Sequence, residues 1–294
     1  MCFFSIIIPT YNRAKVVVNA IESVLNQEFT SWELLVIDDG STDNTQELIS
    51  SYNDSRLHYH YKENEERSLA RNFGIEKAKG KFLCFLDSDD VFLSNHLEVL
   101  FREIQSNNFL EGLYHTKIFK KIKGTESIED WFIGKDTKEI VKAITRGRVL
   151  YIQGICISSD ILKENKFPVH FNYWEDQNLW IRILVQYPFF GIDQITSQWN
   201  VDLNSSTSNI FEATSIKNLN KYLGCIEDVA NSPEIKKSKW LTRNEFNKLK
   251  LKKANDFIST NSTLNFRSLK QYFVCLKYLN IFEVTKMYFY IFVK

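Results

Sequence analysis

KFLCFLDSDD, residues 81–90, is the stretch on which the reading of the fold turns. Phe82 to Leu86 is an unbroken apolar run, too short for a helix and bounded on one side by Gly80. Such a run predicts a strand buried on both faces. It stops abruptly at three carboxylates, Asp87, Asp89 and Asp90, with only Ser88 among them. Carboxylates this close repel one another and settle only in water or around a cation. At the carboxyl end of a central strand, where open α/β sheets bind their ligands, a cation is the more informative option. A solvated acidic turn before a helix capped by Ser94 or Asn95 accounts for the same residues equally well.

Outward from this segment the chain keeps one rhythm. Phe3 to Ile8 predicts a strand that ends at Pro9, and Pro9-Thr10-Tyr11-Asn12-Arg13 a loop. Val17, Ala20, Ile21, Val24 and Leu25 then recur at helical spacing. Leu34 to Ile37 predicts a second strand, ending in Asp38-Asp39-Gly40-Ser41-Thr42-Asp43. Gly40 permits a tight turn there, and Ser41, Thr42 or Asp43 caps a helix running to about Tyr52. Leu57 to Tyr61 reads as a weaker strand, and Arg67 to Lys79 as a helix closed by Gly80. After DSDD, Leu97, Leu100, Phe101 and Ile104 mark one face of another helix. Strands and helices in alternation predict an α/β fold with a parallel sheet and right-handed crossovers. PTYNR, DDGSTD and DSDD then meet at one sheet edge, and three polar loops at one edge imply a shared ligand.

Beyond Leu110 the periodicity is less regular. Gly112 to Lys121 and Leu150 to Ser158 read as strands, and Trp131 to Ile144 as partly helical. Glu175 and Asp176 open a helix whose apolar face is Leu179, Trp180, Ile183 and Leu184, where the helix dipole favours ionised acids. Plain capping by acids explains that placement too. Phe189 to Ile192 and Ser197 to Val201 read as two short strands, and Asn204 to Asn209 as a polar loop at a domain boundary. The expected units are residues 1–210 and a helical region, 211–294. In the latter, Lys236 to Lys253 is strongly basic, and Phe266 to Lys294 interleaves aromatics with basic residues, a pattern suited to an anionic membrane surface. A small helical bundle with a solvated basic face fits the same composition.

The totals narrow the class. With 294 residues, 44% hydrophobic and 25% charged, the composition is that of an ordinary globular protein. A formal net charge of +1 gives no whole-molecule attraction to nucleic acid. Five cysteines, at 2, 84, 156, 225 and 275, form no C-x-x-C and no even disulfide set, which points to a reducing compartment. No leader peptide and no membrane span are expected.

The ordered set of strand-PTYNR-helix, strand-DDGSTD-helix, Ala70-Arg71-Asn72-Phe73-Gly74, strand-DSDD and Glu175-Asp176 resembles the family-2 inverting glycosyltransferases. Each motif is weak alone, but five in order over residues 3 to 210 form a specific pattern. The resemblance implies a GT-A fold, a Rossmann-like, mostly parallel central sheet with helices on both faces, here followed by a C-terminal helical region. It implies transfer of a sugar from a nucleotide diphosphate, most often UDP, to an acceptor hydroxyl, with Mn2+ or Mg2+ as the divalent cation. The acceptor class it suggests is a lipid-linked glycan of bacterial surface polysaccharide, handled in the cytoplasm at the inner face of the membrane, with peripheral contact through the C-terminus.

Carried over residue by residue, the resemblance makes Asp89 the metal ligand and Asp87 the acid facing the ribose or sugar. Asp90 is a weaker extra candidate. Pro9, Thr10, Tyr11 and Arg13 match the first nucleotide-binding loop. Asp39 matches the acid that reads the base, with its neighbour Asp38 equally eligible. Arg71 matches a basic residue near the phosphates, with Arg67 competing. Asp176 matches the catalytic base, with Glu175 as runner-up. Residues 205–208, SSTS, suit either a loop that closes over the diphosphate or a plain linker. Two rivals remain at this level. Asp87-Ser88-Asp89-Asp90-Val91 also looks like the D-x-D-x-V nucleophile loop of haloacid-dehalogenase-type phosphatases, although that reading leaves PTYNR and DDGSTD unexplained. A non-catalytic sugar-nucleotide or polysaccharide-binding subunit has no need of Asp176.

Overall fold

A computed structural model describes residues 2–122, 124–171, 173–201 and 216–260. Its first half alternates β1 (Phe4–Thr10), α1 (Ala14–Leu25), β2 (Trp32–Asp38), α2 (Thr45–Ser50), β3 (Leu57–Tyr61), α3 (Arg67–Lys77) and β4 (Phe82–Phe85). A two-residue β5 (Val91–Phe92) and α4 (His96–Ser106) follow. The second half holds β6 (Leu113–Ile122), β7 (Thr125–Glu129), α5 (Thr137–Ile144), β8 (Ile155–Ser158), α6 (Ser159–Glu164), α7 (Glu175–Leu184) and β9 (Phe189–Val201). Three further helices are α8 (Ile216–Asn231), α9 (Pro233–Lys237) and α10 (Arg243–Thr260).

The strands form one sheet in the order β3-β2-β1-β4-β8-β6-β9-β5, with β7 paired to β6. The first four are mutually parallel. β8 is inserted antiparallel between β4 and β6, and β6 runs parallel to β9. The apolar runs are continuous because both faces are covered. On one face Phe4, Ile6, Ile8, Leu34, Val36 and Cys84 pack with Val17, Ile21, Leu97 and Leu100 of α1 and α4. On the other, Ile7, Leu35, Ile37, Leu83 and Phe85 pack with Ala70, Ile140, Leu179 and Trp180 of α3, α5 and α7. Alternate residues of one strand thus feed two cores, the pattern of a sheet sandwiched by helices.

Three local expectations are corrected. β9 is a single strand of 13 residues. Its pairing with β6 shifts register between Thr116 and Lys117, so the polar Asp193-Gln194 insertion is absorbed as a bulge without ending the strand. Gly80 does not close α3, which ends at Lys77 with Ala78 already extended. Its lack of a side chain serves β1 instead: a Cβ there would lie 2.5 Å from the Ser5 nitrogen and 2.6 Å from the Phe4 carbonyl carbon. The Gly80 N–H donates to Ser5 Oγ at 2.8 Å, and Ser5 Oγ donates to buried Glu33 at 2.6 Å. Neither Ser94 nor Asn95 caps α4 through its side chain.

The expected boundary loop and the aromatic C-terminal segment lie outside the described residues. Of the C-terminal region, α8 shares the α7 core through Leu223, Ile226 and Val229. Asn178 Nδ2 on α7 donates to the Cys225 carbonyl at 3.1 Å and to Asp228 at 3.0 Å. Among the described residues, no helix is long and apolar enough to cross a membrane.

Replacing Gly80 with Ala is expected to lower unfolding stability by about 1–3 kcal/mol, the range for overpacking a filled core. Urea denaturation measures this, and an unchanged midpoint would show that β1 and the β4 entrance are not in contact.

Candidate active site

β1, β2 and β4 end together because they are parallel and in register. Thr10 pairs with Asp38, the Asp39 N–H donates to the Thr10 carbonyl at 2.9 Å, and the Leu86 N–H donates to the Ile7 carbonyl at 3.1 Å. PTYNR, DDGSTD and DSDD therefore share one rim. They line a cavity of about 500 Å³ whose wall includes Pro9, Thr10, Tyr11, Arg13, Asp39, Asp87 and Asp89. The loops are tied to one another. Asn12 Oδ1 accepts from Thr42 N at 2.8 Å, Ser41 Oγ accepts from Asn12 N at 2.8 Å, and Asp43 accepts from Ala14 N at 3.2 Å. Gly40, at φ +87°, makes the turn that brings them together.

The adjacent acids Asp38 and Asp39 have different surroundings. Asp38 accepts from Ser41 N at 2.8 Å and from the Tyr59 hydroxyl at 2.7 Å, one bond to each oxygen, and is absent from the cavity wall. Asp39 lies on the wall, and among the described residues only its Oδ1 is engaged, by Lys62 Nζ at 2.7 Å and Glu65 N at 3.1 Å. Thr10 Oγ1, also on the wall, is buried without a hydrogen-bond partner among the described residues.

The three acids of DSDD diverge as well. Asp89 pairs with Arg13 at 2.8 Å, both on the cavity wall. Asp87 pairs with Arg71 at 2.6 Å. Burial pushes the Asp87 carboxyl up, but Arg71 and the more distant Arg67 and Arg13 outweigh it and hold the group below its ordinary value. Asp90 is off the wall; its Oδ1 accepts from Asn200 N at 3.0 Å and so anchors β9 to the loop. Burial, then repulsion from Asp89 and Asp87, pushes its carboxyl well above the ordinary range.

Arg71 does not face the cavity. It is buried, and besides Asp87 it contacts Glu175 at 3.1 Å, while Arg67, which does reach the wall, contacts Glu175 at 2.8 Å. Glu175 is thereby held by two guanidinium groups. Asp176 accepts from Gln177 N at 2.7 Å and has no ion pair among the described residues. Burial first, and then the charge of Glu175, push its carboxyl up to about 6. The preceding Trp174 takes the left-handed conformation, φ +65°, at the start of α7.

Residues 5–158 match the family model described as "Glycosyl transferase family 2". The chain belongs to glycosyltransferase family 2. The Escherichia coli UDP-Glc:alpha-D-GlcNAc-diphosphoundecaprenol beta-1,3-glucosyltransferase WfgD is 33% identical over 216 residues, 71% of this chain and 81% of that protein. An uncharacterised glycosyltransferase of Rickettsia felis is 36% identical over 206 residues, 69% of this chain but 34% of that protein. This chain thus spans about a third of the length of that relative. The crystal structure of S. aureus TarS 1–349 in complex with UDP-GlcNAc covers 93% of this chain and 79% of its own, with a TM-score of 0.72 at 20% identity. That likeness carries the fold, which is GT-A.

Within this family-2 chain, sequence reasoning missed several side chains on or near the cavity. Asn64, Glu66 and Tyr173 line the cavity from loops without a regular pattern. Tyr151 and Trp199 pack their rings at 4.8 Å, with Lys120 Nζ 5.3 Å from the first ring and 5.9 Å from the second. Lys120 is itself paired with Glu129 at 2.6 Å. Burial pushes the Tyr151 hydroxyl up, with the Lys120 charge opposing and the charges of Glu129 and Asp176 adding to the rise. Three strands and a loop contribute to this group, and no local motif marks it.

Among the described residues, no group of three or more His, Cys, Asp or Glu side chains could cage a metal ion. A hard divalent cation in a phosphate-transfer site takes one or two carboxylates and completes its shell with water and phosphate oxygens. Asp89 and Asp87, both on the wall, suit that smaller donor set.

Arg71→Met leaves Asp87 without its strongest partner. Removing one member of a buried ion pair costs about 3–5 kcal/mol, and the residual Arg67–Glu175 contact places this variant near the lower end. Urea unfolding checks it; a loss below about 1 kcal/mol would show that folding does not depend on this cation.

Proposed function

We propose that the protein transfers a sugar from a UDP-sugar to the hydroxyl of a lipid-linked glycan, with inversion at the anomeric carbon. The observation that carries this reading is the meeting of Thr10, Asp39 and Asp89 on one cavity, with Asp176 at the head of α7 linked to it through Glu175 and Arg71. The donor class is supported by WfgD, whose name specifies UDP-Glc, and the acceptor class by the diphosphoundecaprenol in the same name. A lipid-linked acceptor would bring the enzyme to a membrane face.

In this reading Asp39 holds the base edge through its second oxygen, and the unpartnered Thr10 hydroxyl and the Tyr11 ring complete the nucleoside site. Asp38 is a turn-stabilising residue. Arg13 and Arg67 face the phosphates, and Arg71 positions Asp87 and Glu175. Asp89, aided by Asp87, would hold a divalent cation such as Mn2+ or Mg2+, which supplies Lewis-acid stabilisation to the departing diphosphate. Asp176 accepts the proton of the acceptor hydroxyl as that oxygen bonds to the anomeric carbon. The bond from that carbon to the diphosphate oxygen breaks in the same displacement, and UDP leaves with the electron pair. Glu175, paired with two arginines, still presents the negative charge that raises the proton affinity of Asp176.

Asp176→Asn is expected to lower transfer about 10²–10⁴-fold while UDP binding persists. A transfer assay beside calorimetry separates the two, and full activity would remove Asp176 from the role. Because the base works deprotonated, kcat/KM should fall as pH drops through about 6. Glu175→Gln removes a like charge and should move that limb to lower pH; a limb that stays in place would deny the coupling. Asp89→Ala should weaken UDP binding in the presence of Mn2+ and leave binding of UDP alone nearly unchanged; equal affinity with metal would overturn the metal assignment.

A further inference from the structure

A second concave site, about 640 Å³, lies between α5 with its exit turn and α10. Five cationic side chains line it, Lys135, Lys142, Arg146, Arg148 and Lys252, against one carboxylate, Glu139. The whole chain carries a net charge of only +1, so this is a strong local concentration of positive charge. Glu139, whose carboxylate accepts from the Asp136 N–H at 3.0 Å in the capping box of α5, offsets only one of the five charges. None of the five cations has an ion pair among the described residues.

The arrangement is held in place. Gly147, at φ +98°, turns the chain between Arg146 and Arg148, and the Arg148 N–H donates to the Ala143 carbonyl at 3.0 Å. Lys252 Nζ donates to the Arg146 carbonyl at 3.0 Å, which ties α10 to the turn. The dipole at the C-terminus of α5 accounts for Lys142 and Arg146 at most. It does not account for Lys135, which precedes the helix, or for Lys252, which comes from another one.

We infer that this cleft is a docking surface for the phosphate headgroups of an anionic phospholipid bilayer. The five cations are all exposed and spread over two elements, so they suit many phosphates on a surface better than one small anion gripped from all sides. The surface also has a route to the site. Arg148 is two residues from Leu150, whose backbone N and O bond to Gln177 at 3.0 and 2.7 Å, beside Asp176. Two residues span at most about 7 Å, so a bilayer held at the cleft keeps the head of α7 near the membrane surface. The inference does not depend on sugar transfer: a chain that bound vesicles but transferred nothing would leave it standing.

Vesicle sedimentation of the full chain tests it, with phosphatidylcholine vesicles with and without phosphatidylglycerol. The parent should bind the anionic vesicles and release them as salt rises. Lys142→Ala/Arg146→Ala/Arg148→Ala should weaken that binding about a hundredfold, with the thermal midpoint and UDP affinity of the parent. Arg146→Lys/Arg148→Lys should retain it, which separates loss of charge from misfolding. The inference is overturned if the triple variant binds like the parent, if the parent ignores anionic vesicles, or if inorganic pyrophosphate binds the cleft while vesicles do not.

Discussion

A buried guanidinium joins the two halves of this molecule. Arg71 extends from α3, donates to Asp87 just beyond β4 and donates to Glu175 at the start of α7. Burial alone works against a charged arginine, and the two carboxylates more than offset it, so the group stays firmly cationic. A charge removed from water has to be matched by well-placed partners, or it destabilises everything around it. The consequence is geometric: Asp87 at the end of β4 and the head of the helix that carries Asp176 are tied to one side chain.

The same cation sorts the neighbouring acids by role. Asp87 is held ionised. Glu175 is shared between Arg67 and Arg71, which leaves Asp176 as the less neutralised of the pair, with burial and the Glu175 charge raising its proton affinity. Asp90, next in line to Asp89, turns away to the Asn200 amide, where burial favours its protonated form. Four carboxylates within two short motifs thus acquire four environments from the elements that pack around them. Family-2 membership and the GT-A frame give the setting of this cavity, and the packing gives each acid on and around it a different electrostatic environment.

Much of this was legible in the residue order. Apolar runs of four to six residues, each stopped by a polar cluster, are fully buried strands, and their alternation with 3.6-period helices follows from covering both faces of a sheet. The rim shared by PTYNR, DDGSTD and DSDD follows in turn, because parallel strands in register end together. Less was legible where an element owes its form to a distant partner. Gly80 reads locally as a helix stop, yet its lack of a side chain answers to β1. The two short strands expected after Pro188 are one, because β6 offers a continuous partner and a bulge absorbs the polar insertion.

What the sequence determined by itself is the class of fold, the family and the meeting of three polar loops at one sheet edge, since all three rest on local periodicity and on motifs a few residues long. Tertiary structure alone decided between neighbours: Asp39 on the wall while Asp38 braces a turn, Arg67 at the cavity while Arg71 is buried beneath it, Tyr151 beside Trp199 from elements far apart. The physical reason is that a side chain's charge and reach depend on what surrounds it in space. Those surroundings come from strands and helices that can lie more than a hundred residues away, as with Arg71 and Glu175, separated by 104 positions.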